Sequence, residues 1–336
     1  MTWSWSEAQL RRLGRFLADR ALCEPTITAR SVGDGHSNLT FLVSDGNSRL
    51  VVRRPPPPPL PAGAHDVLRE ARLLTALEDT AVPTPRVLAV AGADELLDVP
   101  VFVMEYVDGV VITESTPAPA DDEQLRRCIG ESLVDTLADL HAVAWREVGL
   151  GDFGKPNGFN ARQLRRMRSL IASDGAVPRA FAPLDEWLRR NTPAESGIAI
   201  VHNDFRIGNM IVDVAGGDIA AVLDWELATI GDPLADLGYL LTSYPIPGEP
   251  LVPTAAMGTA VLEPGYPTRA ELIDRYVQRT GADVSNIDWY AALAMYKLAA
   301  LYEYSRVRFE DGVGDPYYAD PGLVNSFLTA GERLAH

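Results

Sequence analysis

The middle of the chain reads IAIVHNDFRIGNMIVD over residues 198–213 and IAAVLDWELATIGDPLADLGYL over residues 219–240. Two apolar runs within it, 198–201 and 219–223, are rich in β-forming residues, and each stops at a cluster of polar side chains. A shorter apolar run, 210–212, lies between them. The pattern predicts three short strands with polar groups at their ends.

The turn between the second and third runs contains Gly216 and Gly217, which can adopt the positive φ angles of a tight hairpin. Such a hairpin brings Asn209, just before the second strand, near Asp224, just after the third. Asp204 follows the first strand. The sequence therefore predicts that two carboxylates and one amide converge at strand ends.

Phosphoryl transfer needs this set of groups. One carboxylate accepts the proton of the acceptor hydroxyl, while an amide oxygen and a second carboxylate hold Mg²⁺ against the ATP phosphates, because this hard cation prefers oxygen ligands. We expect Asp204 to act as the base, Asn209 and Asp224 to bind Mg²⁺, and Arg206 to add positive charge to the loop. The alternative interpretation is that these acids only cap loops.

The spacing of His202, Asp204, Asn209 and Asp224 resembles the catalytic loop and metal-binding aspartate of protein kinases, without their Arg-Asp pair or Asp-Phe-Gly triplet. It is more similar to the aminoglycoside phosphotransferase and choline kinase group of small-molecule kinases. The pattern of that group is His-x-Asp, an Asn five residues later, then Asp-Trp or Asp-Phe. The resemblance implies a two-lobed α+β fold of the protein-kinase type, with a small N-terminal antiparallel-sheet lobe and a larger, mostly helical C-terminal lobe.

A finer resemblance concerns the acceptor. The segments Leu-Asp-Trp-Glu at 223–226 and Gly-Asp-Pro-Leu-Ala-Asp-Leu at 231–237 are similar to the branch that includes the kinase-like domain fused to acyl-CoA dehydrogenases. That branch is tied to hydroxyacyl-CoA phosphorylation, which implies a hydroxyacyl-CoA or hydroxy acid as acceptor. An aminoglycoside or other amino sugar is the second acceptor class. A catalytically silent nucleotide-binding scaffold or sensor is the interpretation from another class.

Length and charge limit the other functions. A chain of 336 residues can bury a large core and form two lobes. The formal net charge of −16 argues against a nucleic-acid partner, and it suits either solubility or a polycationic acceptor. We find no apolar run of about 18 residues, and the N-terminus lacks a basic region followed by an apolar segment. We therefore expect a cytoplasmic protein without a membrane partner; its oligomeric state is not predicted.

The N-terminal part predicts an amphipathic helix over 5–20 and strands over 26–32, 39–43 and 49–53. The loop between the first two strands is small and polar enough for its backbone amides to approach phosphates, although a plain hairpin turn has the same composition. The residues of this loop that we expect to contact ATP are Gly35, His36, Ser37 and Asn38.

Arg53 ends the third of these strands, where the family usually has a lysine that holds the nucleotide phosphates. Only Lys155 and Lys297 are lysines in this chain. An arginine can make a forked contact with phosphate oxygens, as the resemblance to the hydroxyacyl branch implies. Glu70, on a helix predicted over 64–77, falls where the family places the glutamate that pairs with the strand cation; a solvated helix glutamate is the alternative.

Two more strands are predicted at 86–90 and 101–106. Glu105 and Tyr106 then resemble the kinase hinge, whose backbone groups pair with the adenine edge. We expect this hinge to separate an N-terminal nucleotide-binding lobe, residues 1–106, from a C-terminal catalytic and acceptor-binding lobe, residues 107–336.

Helical periodicity dominates the C-terminal part, with helices predicted from residue 121 or 122 to 144 and over 182–190, 232–241, 268–280, 286–308 and 320–335. A basic helix carries Arg162, Arg165 and Arg166, which suit the phosphates of a CoA thioester or, equally, a solvated face with local salt bridges. Tyr302 is a weaker expectation for the acceptor pocket. Asp236 is expected to brace the catalytic loop.

Overall fold

The structure is a computed structural model that describes residues 5–32, 38–56, 65–173 and 175–335. Three residues predicted to contact ATP, namely Gly35, His36 and Ser37, lie outside the described residues. The chain divides into two compact units. The first comprises Met1–Asp108 and Ala221–Glu226, and the second comprises Gly109–Ala220 and Leu227–His336.

The first unit is built on a five-stranded antiparallel sheet with the strand order β1-β2-β3-β5-β4. Its strands are β1 (Thr28–Val32), β2 (Leu39–Ser44), β3 (Arg49–Arg54), β4 (Val87–Ala91) and β5 (Val101–Glu105). The hairpin between β2 and β3 closes at Gly46, whose φ of 96° a residue with a side chain rarely adopts. Asp45 fixes this turn by accepting from the backbone N–H groups of Asn47 and Ser48.

Two helices accompany the sheet, α1 (Glu7–Ala18) and α2 (Val67–Leu77). The helix α1 begins with a capping box in which Ser6 and Gln9 satisfy each other's backbone N–H groups. Asp66 caps α2 by accepting from the N–H of Arg69. The core of this unit lies between α1 and the sheet; its fully buried members include Leu13, Leu17, Val43, Val52 and Val103.

The second unit is mostly helical. Its helices are α3 (Glu123–Ala142), α4 (Phe159–Ile171), α5 (Ala182–Arg190), α6 (Leu234–Ser243), α7 (Pro253–Ala256), α8 (Arg269–Thr280), α9 (Ile287–Glu310) and α10 (Pro321–Leu334). The long helix α9 packs against α4, α6 and α10, and α3 packs against α8. Because α9 has neighbours on several sides, nearly all of its N-terminal half is buried.

Four short strands complete the chain: β6 (Ala199–Val201) pairs antiparallel with β9 (Thr229–Gly231), and β7 (Met210–Val212) pairs with β8 (Ile219–Val222). The division between the units falls within β8. The predicted hairpin is present, but only Gly217 takes a positive φ, of 79°, so the expectation that Gly216 also does so was wrong. The antiparallel sheet of the N-terminal part and the helical C-terminal part confirm the predicted α+β class.

Candidate active site

The loop after β6 is held in place by a buried carboxylate of the second unit. Asp236, fully buried on α6, accepts hydrogen bonds from the backbone N–H groups of His202 at 2.6 Å and Asn203 at 2.7 Å. The N–H of Asp204 donates to Nδ1 of His202 at 3.2 Å. These contacts confirm that Asp236 braces the loop, as the sequence predicted, and they fix the backbone that leads into Asp204.

The carboxylate of Asp204 is bound at both oxygens. Tyr239 on α6 donates its phenol hydrogen to Oδ1, and Nδ2 of Asn209 donates to Oδ2 at 2.7 Å. The side chain of Asp204 stays 20% exposed. Since each carboxylate oxygen has two lone pairs, the group is oriented by the protein and can still accept a hydrogen bond from a hydroxyl.

The side-chain amide of Asn209 forms hydrogen bonds within the described residues through its Nδ2 group alone. Its Nδ2 also donates to the backbone carbonyl of Asp204 at 2.9 Å. Its amide oxygen accepts no hydrogen bond from the residues that the structure describes. The residue is buried, so this oxygen is a preformed polar atom of the type that Mg²⁺ prefers.

Arg206 places positive charge beside the same carboxylate, with Nε 3.6 Å from Oδ1 of Asp204. Its guanidinium group lies against Gly208, where a Cβ atom would collide with Nη1 of Arg206. The absence of a side chain at residue 208 therefore allows the arginine to lie over the loop. Asp204, Arg206 and Asn209 are thus brought together as the sequence predicted, and their roles stay predictions.

A second cluster lies in the first unit, around Arg53 on β3. The guanidinium Nε lies 3.1 Å from Glu70 on α2, without the alignment of a hydrogen bond, and Nη2 donates to Oδ1 of Asp224 at 2.5 Å. Glu226 lies further away, at 3.9 Å. The ion pair predicted between Arg53 and Glu70 is present, and Asp224 adds a contact that was not predicted.

Burial and charge oppose each other in this cluster. Burial alone lowers the pKa of Arg53, but the nearby carboxylates of Glu70 and Asp224 outweigh it and raise the pKa. Burial raises the pKa of Glu70 to about 7, against the opposing attraction of Arg53. The arginine is therefore permanently charged and surrounded by acids.

Asp224 has the features of a strained, polar position. Its φ of 65° lies in the left-handed region, which residues other than glycine seldom adopt. The side chain is 37% exposed, and the oxygen that does not bind Arg53 accepts no hydrogen bond from the described residues. Within the described ranges no three His, Cys, Asp or Glu side chains group as a metal cage. Mg²⁺ is usually held by one or two carboxylates together with substrate phosphates, and the carboxylate of Asp224 is a donor of that kind.

Two other residues predicted to contact the nucleotide, Asn38 and Glu105, form hydrogen bonds within the protein. Asn38 is buried, donating to Glu226 at 3.3 Å and lying 3.3 Å from Nδ1 of His65. The N–H of Glu105 donates to the carbonyl of Arg86 at 2.9 Å, and the carboxylate of Glu105 accepts from the N–H of Arg86 at 3.0 Å. The backbone N–H of Glu105 is therefore not free to pair with a base.

Tyr106 lies under the guanidinium group of Arg49, which is 4.2 Å from the ring centre. The same arginine forms an ion pair with Asp108 at 2.7 Å. A role of Tyr106 in nucleotide binding stays a prediction.

The residues predicted to bind the acceptor are distributed over two helices of the second unit. On α4, Arg162 donates to the carbonyl of Lys155, while Arg165 and Arg166 are exposed and pair with no group in the described part of the chain. Tyr302 on α9 makes edge-on ring contacts with Tyr318, 5.1 Å away between ring centres, and with Tyr317 and Phe327. Its contacts are those of an aromatic cluster.

Sequence reasoning missed three residues of the loop's surroundings: Tyr239, Asn203 and Lys297. Tyr239 lies on α6, where every residue is buried, so no polar stripe indicates which face meets the loop. Asn203 directly precedes Asp204, and its residue type alone does not indicate that its side chain bridges other elements. Lys297 had a usable signal, because it is one of two lysines and stands among the apolar residues of α9.

An antiparallel-sheet unit with a cation–carboxylate pair, and a helical unit with a braced His-x-Asp loop, define the class of kinase-like phosphotransferases. The chain belongs to the phosphotransferase enzyme family, whose profile matches residues 28–272. It is therefore a small-molecule kinase.

Relatives and solved structures agree with this assignment. Acyl-CoA dehydrogenase family member 11 of Rattus norvegicus is 31% identical over 92% of this chain. The chain spans 40% of that protein's length, and 25–42% of the length of the curated relatives it matches. The crystal structure of a Ralstonia eutropha JMP134 protein, classed as a candidate aminoglycoside phosphotransferase, has a TM-score of 0.77 at 26% identity and covers 96% of this chain and 98% of its own. The fold also matches the aminoglycoside phosphotransferase APH(4)-Ia in a ternary complex with AMP-PNP and hygromycin B, with a TM-score of 0.62 at 15% identity, covering 96% of this chain and 98% of that one.

One further finding concerns membranes. In the part of the chain that the structure describes, no helix combines the length and the apolar character needed to cross a bilayer.

Proposed function

We propose that the chain moves the γ-phosphoryl group of ATP, in the presence of Mg²⁺, to a hydroxyl of a hydroxyacyl-CoA or related hydroxy acid. The observation that carries this proposal is the carboxylate of Asp204, which Tyr239 and Asn209 hold at its two oxygens while it stays 20% exposed. A carboxylate that is oriented and accessible at once is what an acceptor hydroxyl requires.

The reaction is a single displacement. The acceptor oxygen forms a bond to the γ-phosphorus while the bond from that phosphorus to the bridging oxygen breaks, and ADP leaves with the electron pair. Asp204 accepts the hydroxyl proton. Asn209 and Asp224 would hold Mg²⁺, which when bound neutralises phosphate charge. Arg53, positioned by Glu70, is the cation of β3 assigned to the nucleotide phosphates.

Two observations favour a hydroxyacyl-CoA as the acceptor. Curated relatives of this chain are named as acyl-CoA dehydrogenase family members. Arg165 and Arg166 on α4 are exposed and have no ion-pair partner among the described residues, so they offer forked donors to the phosphates of a CoA thioester. In a chain of net charge −16, exposed arginines usually have acidic neighbours as ion-pair partners. The lack of such partners among the described residues therefore favours an external anion at Arg165 and Arg166.

An amino sugar is the second candidate acceptor. The net charge of −16 favours a polycationic substrate, and a structural neighbour binds hygromycin B. A catalytically silent nucleotide-binding scaffold or sensor is the candidate from another class, and only the arginine at residue 53 supports it.

The test is Mg²⁺-dependent ADP release by the purified protein, with hydroxyacyl-CoA, aminoglycoside and choline-like pools supplied separately. We expect the hydroxyacyl-CoA pool to stimulate release, and Asp204→Ala and Asp224→Ala each to lower it by about a thousandfold or more with the fold intact. Asp274→Ala, which removes an exposed carboxylate on α8, is the matched control and should leave the rate unchanged.

Each other outcome has a stated meaning. Full activity in either active-site variant would contradict the assigned roles. Stimulation by the aminoglycoside pool alone would replace the favoured acceptor with the second one. ATP binding without turnover for any pool would support the silent nucleotide-binding protein.

A further inference from the structure

Lys297 is a cation in an apolar environment. It is one of two lysines in the chain and lies half-buried on α9 between the buried residues Tyr296 and Leu298. Its ammonium group donates a hydrogen bond to Oδ1 of Asn203 at 3.0 Å. Removing an ammonium group from water is costly, so its placement against this one amide requires an explanation.

Asn203 is the residue directly before Asp204, and its own conformation is unusual. Its φ of 66° lies in the left-handed region, where asparagine is better tolerated than most residues. Its backbone N–H donates to Asp236, its Nδ2 donates to the carbonyl of Leu227 at 2.9 Å, and its Oδ1 accepts from Lys297. The peptide that leads into Asp204 is therefore fixed by α6, by α9 and by the segment before β9.

Three charged groups face the ammonium group of Lys297. They are Asp236 on α6, Asp204 in the loop and Arg166 on α4. Loss of water lowers the pKa of Lys297 to about 8, against the attraction of Asp236. The ammonium group thus interacts electrostatically with both carboxylates and donates its hydrogen bond to Asn203.

We propose that Lys297 is a positioning residue of the phosphoryl-transfer site, which acts through the side chain of Asn203 to hold the peptide that carries Asp204. The proposal rests on the proposed role of Asp204 as the base. Lys297 acts on the orientation of that carboxylate and touches no reacting atom.

A double-mutant cycle on turnover tests the route through Asn203. Lys297→Met removes the ammonium group and keeps an unbranched apolar side chain, and Asn203→Gly removes the amide at a position whose positive φ glycine adopts freely. We expect each change to lower kcat about tenfold with little change in the KM for ATP, and the double variant to lose little more than either single one. Multiplying losses would show that Lys297 acts by another route, and unchanged kcat in Lys297→Met would overturn the proposal.

The second measurement does not depend on activity. Because the chain has two lysines, ¹⁵N spectra of labelled side-chain amines contain two signals, and the exposed Lys155 is assigned with Lys155→Met. We expect the Lys297 signal to titrate near 8 and to move lower in Asn203→Gly, because the charged form loses its acceptor. A Lys297 titration unaffected by Asn203→Gly would disprove the contact even if no acceptor were found. A contact confirmed in a protein without turnover would instead contradict the proposed function.

Discussion

Tyr239 donates its phenol hydrogen to Oδ1 of Asp204, so a buried residue of α6 orients the carboxylate proposed as the base. Burial, together with the nearby carboxylate of Asp204, raises the pKa of Tyr239 well above its ordinary value. The phenol therefore stays protonated and acts as a donor throughout the working pH range.

We expect Tyr239→Phe to lower kcat roughly ten- to hundredfold, because a hydrogen bond to a charged group contributes about 1.5–3 kcal/mol. The KM for ATP should stay nearly constant, since the phenol lies on α6 and acts on the carboxylate proposed as the base. Steady-state ADP release with a saturating acceptor measures both quantities.

Tyr290→Phe is the matched control for this change. The phenol of Tyr290 donates to Asp232 at 2.6 Å, away from Asp204, and the residue is also buried. This variant should lose about 1–3 kcal/mol of unfolding free energy and retain kcat. If both phenylalanine variants lose activity equally, the effect of Tyr239 is one of general packing.

The ion pairs of Arg53 predict that a second substitution can restore stability without restoring nucleotide affinity. Arg53→Met leaves Glu70, 2% exposed, without its cation, so this residue must either keep an uncompensated charge or take up a proton, and we expect the unfolding free energy to fall by about 1–3 kcal/mol. Adding Glu70→Gln removes that uncompensated charge and should restore much of the stability. Nucleotide affinity should stay low in both variants, because the cation is absent from both.

Urea unfolding and titration with a fluorescent ATP analogue make the comparison. Arg49→Met, which removes an exposed ion pair with Asp108, is the control and should change stability by less than about 1 kcal/mol. Recovery of nucleotide affinity in the double variant would contradict the assignment of Arg53 to the phosphates.

Much of the fold follows from local sequence signals. The helices α1 and α8 each begin at a capping box, formed by Ser6 with Gln9 and by Thr268 with Glu271. This sequence pattern predicts where each helix begins. The order of Asp204, Asn209 and Asp224 after short β-forming runs was equally readable. By contrast β9 has three residues, too few to show a period, and it was not predicted.

Contacts between distant residues could not be predicted in this way. Lys297 and Asn203 are 94 residues apart, and their hydrogen bond depends on how α9 packs. The helix α6 is buried on every face, so its sequence carries no amphipathic stripe that points Tyr239 at the loop. The contact of Arg53 with Asp224 depends on a backbone φ of 65° at the aspartate. A positive φ is usually indicated by a glycine, so the sequence does not predict it here.

The buried carboxylate of Asp236 predicts a pH-dependent loss of stability. Burial alone raises its pKa, but hydrogen bonding and charge from His141 and the backbone N–H of His202 outweigh it and lower the pKa. A depressed folded-state pKa adds stability above the unfolded value of about 3.9, and this contribution is lost as the pH falls through the folded value.

We expect Asp236→Asn to cost about 2–4 kcal/mol at neutral pH, and the difference from the unmodified protein to shrink as the solution is acidified below about pH 4. Urea unfolding followed by tryptophan fluorescence at several pH values measures this. Asp139→Asn removes a surface ion pair with Arg279 and should cost less than about 1 kcal/mol. A pH-independent difference for Asp236→Asn would show that the charge of Asp236 is not what stabilises the loop.

The close contact between α6 and α9 predicts that a single methyl group disturbs both stability and turnover. A Cβ at Gly238 would lie 2.7 Å from the carbonyl carbon of Tyr290 and 2.8 Å from the nitrogen of Ala291, and this backbone can make room only if α9 shifts. We expect Gly238→Ala to lower the unfolding free energy by about 1–3 kcal/mol. Because α9 also carries Lys297, kcat should fall as well.

Gly151→Ala, with no atom within 4 Å of the added Cβ, should change neither quantity measurably. Thermal unfolding and ADP release are measured for both variants. A Gly238→Ala protein with unchanged stability and full turnover would show that α6 and α9 accommodate the methyl group without displacing the catalytic loop.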